Sequence, residues 1–164
     1  MNTPLPLQQI LTHVPGYVWA ILATILVLGL LQSRPQRLGR PRLLVLPLAW
    51  LAFGAWGVAG AFGLASSAAL AWLAGLAASV VLVRLLGWPG KIRAEGRHFL
   101  VPGSWLPLAL MLGLFCAKFA LGMGLALHPE WRQQLLVALG FSSLFGLLGG
   151  AILGRSLHIL GHRA

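Results

Sequence analysis

Apolar residues come in five long runs, separated by short polar stretches rich in arginine, proline and glycine. The runs cover about Val14–Leu31, Leu43–Phe62, Ser66–Leu86, Leu106–Leu127 and Gln134–Gly154, and the last can continue as helix to Leu160. Each is long enough to cross a bilayer, which takes about 20 residues at ~1.5 Å per residue. The pattern predicts an all-α fold: one domain over residues 1–164, a bundle of five transmembrane helices.

The polar stretches sharpen this picture. Met1 to Thr12 has no basic residue, and SRPQR follows the first run in place of a small-residue cleavage site, so a retained span is expected and not a signal peptide. Tyr17 and Trp19 suit the aromatic belt at a membrane surface. Pro35, Gly39 and Pro41 keep SRPQRLGRPR from being helical throughout. Pro47 falls in the first turns of the second span, where proline is tolerated. The short GLASS link makes spans two and three a tight antiparallel hairpin. The longest connection runs from Gly87 to Ser104, where KIRA and RHFLV flank Glu95-Gly96. That predicts a small basic hairpin on the membrane surface, with Ile92 across from Phe99 if the turn has two residues.

Composition agrees with lipid as the solvent. The chain is 59% hydrophobic and 9% charged, whereas a soluble domain carries about 25% charged residues. Twelve Lys+Arg stand against two Asp+Glu, a formal net charge of +10. On a soluble domain that excess would suggest nucleic acid, but here it sits in short loops and no nucleic-acid partner is expected. Five spans put Arg34, Arg37, Arg40, Arg42, Arg84, Lys91, Arg93, Arg97, Arg155 and Arg163 on one side, with Arg132 on the other. The positive-inside rule then places the N-terminus outside and the C-terminus in the cytoplasm. Four spans would put the basic tail on the wrong side. The basic loops can also meet anionic lipid headgroups.

Lys118 is the sharpest functional candidate, because it lies within a turn of the middle of the fourth span. A lysine there costs roughly 2.5–3.5 kcal/mol on insertion scales, and both glutamates, Glu95 and Glu130, lie in loops. Three resolutions are open: a neutral amine, hydrogen bonds to hydroxyls and carbonyls, or a water-filled cavity or anionic ligand. Thr24, Ser142 and Ser143 fall at the same depth, which defines a candidate ligand site of Lys118, Ser142, Ser143 and Thr24. The plainer reading is an interhelical hydrogen bond that holds the bundle in register.

Ala138, Ser142, Gly146, Gly150 and Gly154 recur every fourth residue in the fifth span. Small residues at that spacing let membrane helices approach closely. The stripe packs within the bundle or forms a homodimer face; Ala71, Gly75 and Ser79 form a shorter stripe on the third span. His158 and His162 have metal-compatible spacing but no nearby Cys, Asp or Glu, and Cys116 and Met123 read as packing residues. No metal site or cofactor is expected. With two carboxylates, both in loops, acid–base catalysis has little to work with, and no nucleotide, hydrolase or metalloprotease motif is present.

The segments LQSRPQRLGRPRLLVLPLAW, FLVPGSWLPLALMLGLFCAKFALGMGLALHP and GLLGGAILGRSL resemble an uncharacterised family of small proteobacterial inner-membrane proteins, known only as a domain of unknown function. VPGSWLPLAL and the F-x-x-K-F around Lys118 are the most specific parts. The resemblance implies a multi-span bundle in the bacterial inner membrane and carries no activity with it. A fainter similarity leads to small membrane proteins linked by name to cytochrome c assembly. Three functions follow as expectations: binding or moving a small anionic or amphiphilic molecule near Lys118; a structural or assembly role in a larger membrane complex; or a redox role with a quinone or haem.

Overall fold

A computed structural model describes residues 16–63, 67–90, 92–95 and 98–161. They form five helices: α1 (Gly16–Gln32), α2 (Arg40–Phe62), α3 (Ser67–Leu85), α4 (Leu106–Leu127) and α5 (Leu135–Gly161). α2 to α5 are each long and apolar enough to cross a membrane, whereas α1 has 17 described residues, about 25 Å of helix. A 3-10 turn, Pro129–Gln133, joins α4 to α5.

One helix starts earlier than its predicted span, and the last one runs on as the sequence allows. α2 starts at Arg40, with Pro41 in its first turn, where a missing N–H costs nothing. Pro47 therefore lies in the helix interior and is buried there. α5 runs 27 residues to Gly161, about 40 Å, and so reaches past the apolar run.

Three short strands form a sheet at one end of the bundle. β1 (Gln36–Gly39) comes from the first connection, β2 (Arg93–Glu95) and β3 (His98–Val101) from the third, and the order is β1-β3-β2 with both pairings antiparallel. The hairpin register is Ala94 opposite Phe99, so Ile92 does not face Phe99. Glu95 belongs to β2 and pairs with His98, so it is a strand residue and not the turn residue expected from the sequence. Residues two apart on a strand share a face. Phe99 and Val101 accordingly share one, and Leu38 pairs with Phe99. These three, with Leu43, pack against Ile159 near the end of α5.

The closest helix contact is between α3 and α5. Added Cβ atoms on α5 would run into the α3 backbone: Gly146 against the Trp72 carbonyl and the Leu76 amide, Gly150 against the Leu76 carbonyl, and Gly154 against the Val80 Cα. In return, Gly75 of α3 faces the Ser143 carbonyl. The residues Ala138, Ser142, Gly146, Gly150 and Gly154 are all buried. α5 also packs on α2 and α4, and α1 packs on α4, where Gly29 meets Leu108.

Because the sheet joins the α1–α2 and α3–α4 connections, the described basic residues Arg34, Arg37, Arg40, Arg42, Arg84 and Arg93 gather at this end. Arg132 lies in the 3-10 turn at the other end. Arg155, counted from the sequence as a basic residue flanking the fifth span, is not at the surface. It is inside α5 and only 5% exposed, because the helix continues under the sheet. Lys91, Arg97, His162 and Arg163, with everything before Gly16, including His13, lie outside the described residues.

Replacing Gly146 with alanine is expected to destabilise the purified protein by roughly 1–3 kcal/mol, since the new methyl meets backbone that cannot swing away. Thermal unfolding in detergent reads this as a lower melting temperature. Gly140→Ala, where nothing lies within 4 Å of the added Cβ, should leave it unchanged or raise it.

Candidate functional site

Lys118 is the thirteenth of the 22 residues of α4 and is half-buried. Its Nζ lies 3.8 Å from the centroid of the Phe53 ring, 5.7 Å from Trp56 and 5.9 Å from Phe145. α2 supplies Phe53, Trp56 and Gly57, which at i, i+3 and i+4 share one helix face. Gly57 makes the approach feasible, for a Cβ there would meet the Lys118 Nζ and lie 2.7 Å from its Cε. α5 supplies Phe145, which is 1% exposed. The rings are themselves held by neighbours: Phe53 meets Trp50 edge-on at 5.9 Å, and Phe145 packs on Phe141 at 6.2 Å.

The amine thus sits where α2, α4 and α5 meet, among aromatic faces. A ring quadrupole attracts a cation by about 2 kcal/mol or more where water is scarce. That is comparable with the roughly 2.5–3.5 kcal/mol for placing a lysine at mid-helix in a bilayer. Rings can therefore offset much of the cost without any carboxylate. Among the described residues Lys118 has no hydrogen bond and no ion pair. The described acidic side chain, Glu130, is exposed at the far end beside His128, 3.0 Å away.

The hydroxyls predicted at this depth have other partners or none. Thr24, on α1, donates to the Ala20 carbonyl at 2.8 Å, and Ser143 donates to the Gly140 carbonyl at 3.0 Å. Ser142 is fully buried, one turn before Phe145, and its hydroxyl has no described partner. No hydrogen bond joins Lys118 to any of these three. What the sequence reading passed over is the aromatic set. Phe53, Trp56 and Gly57 recur at helical spacing, at the depth in span two that Lys118 has in span four, and that was the available signal.

Two further features bear on the site. Lipid-depth neighbours on the same flank are open: Trp56 is 72% exposed and Phe119 36%, and Cys116 is exposed. Separately, Gly39, Arg40, Pro41 and His98 line an open groove of about 490 Å³ at the sheet end. Among the described residues no three His, Cys, Asp or Glu side chains come together as metal ligands would.

The chain belongs to DUF6622, a family of unknown function whose model matches residues 1–164. Neither the curated proteins nor the solved structures contain a match to it.

If the rings stabilise the amine, a double-mutant cycle between Lys118→Met and Phe53→Leu should give a coupling of about 0.5–2 kcal/mol in detergent unfolding. Additive effects would show that Lys118 does not depend on the ring.

Proposed function

We propose that this is a non-enzymatic membrane protein that binds, or moves, a small amphiphilic molecule through an oxygen-bearing, anionic or strongly polar head at Lys118. The observation that carries the reading is an ammonium with ring faces around it and no oxygen partner among the described residues. Rings attract the positive charge but accept N–H bonds weakly. A head group with a carboxylate, phosphate or carbonyl oxygen supplies the stronger acceptor. The half-buried state of Lys118 and the exposure of Trp56 and Phe119 support lateral entry from lipid.

The reading takes all five helices as spans in a bacterial inner membrane. The N-terminus lies outside, and the basic sheet end faces the cytoplasm, as the positive-inside rule implies. Anionic lipid headgroups would then meet the basic end, where the Arg40–His98 groove is one place for them. A quinone is the redox variant of the same idea, since its carbonyls are acceptors for an ammonium.

A second reading is structural. The same rings that surround Lys118 tie α2, α4 and α5 together, so the amine can serve the bundle, or a larger complex, with no ligand. The glycine stripe does not favour docking through that face, because α3 covers it.

Native mass spectrometry from a gentle detergent separates the two. Binding predicts a defined extra mass on the parent protein that is lost in Lys118→Met while the variant stays folded. A bare protein in both cases, with Lys118→Met lowering only stability, would favour the structural reading.

A further inference from the structure

A second cation lies at the sheet end of the bundle without a carboxylate partner among the described residues: Arg155 on α5 is 5% exposed. Its Nη1 donates to Gln32 Oε1 at 3.3 Å, and its guanidinium carbon lies 5.4 Å from the centroid of the Trp88 ring. Gln32 closes α1 and is 4% exposed. Its backbone carbonyl accepts the Ser104 N–H at 3.0 Å. The pair therefore sits where α1, α4, α5 and the turn after α3 come together.

Two donors here have no partner among the described residues, Arg155 Nε and Gln32 Nε2. A buried, unpaired donor is expensive, and more so on a charged group. Both unmet needs are for an acceptor, and one belongs to a guanidinium. A neutral water would accept from these donors but would bring two hydrogens of its own to place. An oxyanion accepts without donating and also balances the charge. The Nε edge of an arginine is built for such a group, offering parallel N–H bonds to two oxygens. Other described charges at this end, Arg34, Arg37, Arg40, Arg42, Arg84 and Arg93, add to the positive potential. Beside the joint, Leu30, Leu31, Leu85 and Leu86 are exposed apolar surface suited to acyl chains.

We propose that Arg155 and Gln32 bind an oxyanion of the phosphate class, either free phosphate or the phosphodiester of a lipid headgroup. The ligand locks the ends of α1, α4 and α5 together. This site is independent of the one at Lys118.

The test is thermal unfolding in detergent of the full chain and of Gln32→Glu. The variant is nearly isosteric and gives Arg155 a carboxylate of its own, so it should fold and need no external anion. Inorganic phosphate is compared with chloride at equal ionic strength, and a phosphatidylglycerol micelle additive with a phosphatidylcholine one. The expected result is a rise of roughly 5 °C or more at saturation in the parent, absent or much smaller in Gln32→Glu. A response to phosphate points to the free ion, and a response to phosphatidylglycerol alone points to the headgroup. The proposal fails if neither probe moves the parent, or if parent and variant respond equally, as other surface arginines would cause. It also fails if only Glu95→Gln brings out a phosphate response, because then the chain's own carboxylate is the counterion.

Discussion

Positive charge inside an apolar bundle must be matched, and this chain has almost no carboxylate with which to match it. Its two acidic residues stand against twelve basic ones, and neither lies in one of the five α-helices. The half-buried Lys118 and the buried Arg155 are accommodated by neutral groups among the described residues instead. Lys118 has three aromatic rings around its Nζ. Arg155 has an amide oxygen and an indole face. In both, an N–H lacks an oxygen among the described residues, and this shared shortage is what makes each a candidate for an oxygen-bearing ligand.

Such sites need helices held closely and in one register. Glycine-to-backbone contact between α3 and α5 provides this, since lipid gives apolar helices no hydrophobic reason to associate and close packing must do so. With one flank of α5 on α3, its other flanks are left for α2 and α4. That brings Phe145 to the level of Phe53 and Lys118. The length of α5 carries the same helix to the sheet, where Ile159 joins the strand residues Leu38, Phe99 and Val101 and Arg155 meets Gln32 one turn earlier.

The helices were legible because each is a long apolar run bounded by arginine, proline or glycine. Close packing of small residues was legible from their period of four. The first strand was not: Gln36–Gly39 pairs with a segment some sixty positions later, and no local pattern reports a non-local partner. A lone arginine at the end of an apolar run reads as a flanking charge, and even a helix continued to Leu160 does not show that the sheet packs on it and buries Arg155. At Lys118 the depth of the charge was legible, but its partners were sought among hydroxyls. Ring faces carry no acidic or hydroxyl signature in a sequence, and only the matched depth of Phe53, Trp56 and Lys118 in neighbouring spans gives them away.

The claim that matters most is that the Lys118 ammonium lies against aromatic faces inside the bundle. The sequence has two lysines, Lys91 and Lys118, so a lysine-selective ¹³C label yields two side-chain signals, and Lys91→Arg identifies which is which. The account predicts that the Lys118 Cε protons are shielded by ring current and show cross-relaxation to the Phe53 ring, the shielding reduced and that cross-relaxation lost in Phe53→Leu. A Lys118 signal that coincides with that of a free lysine side chain, with no transfer to any ring, would contradict it.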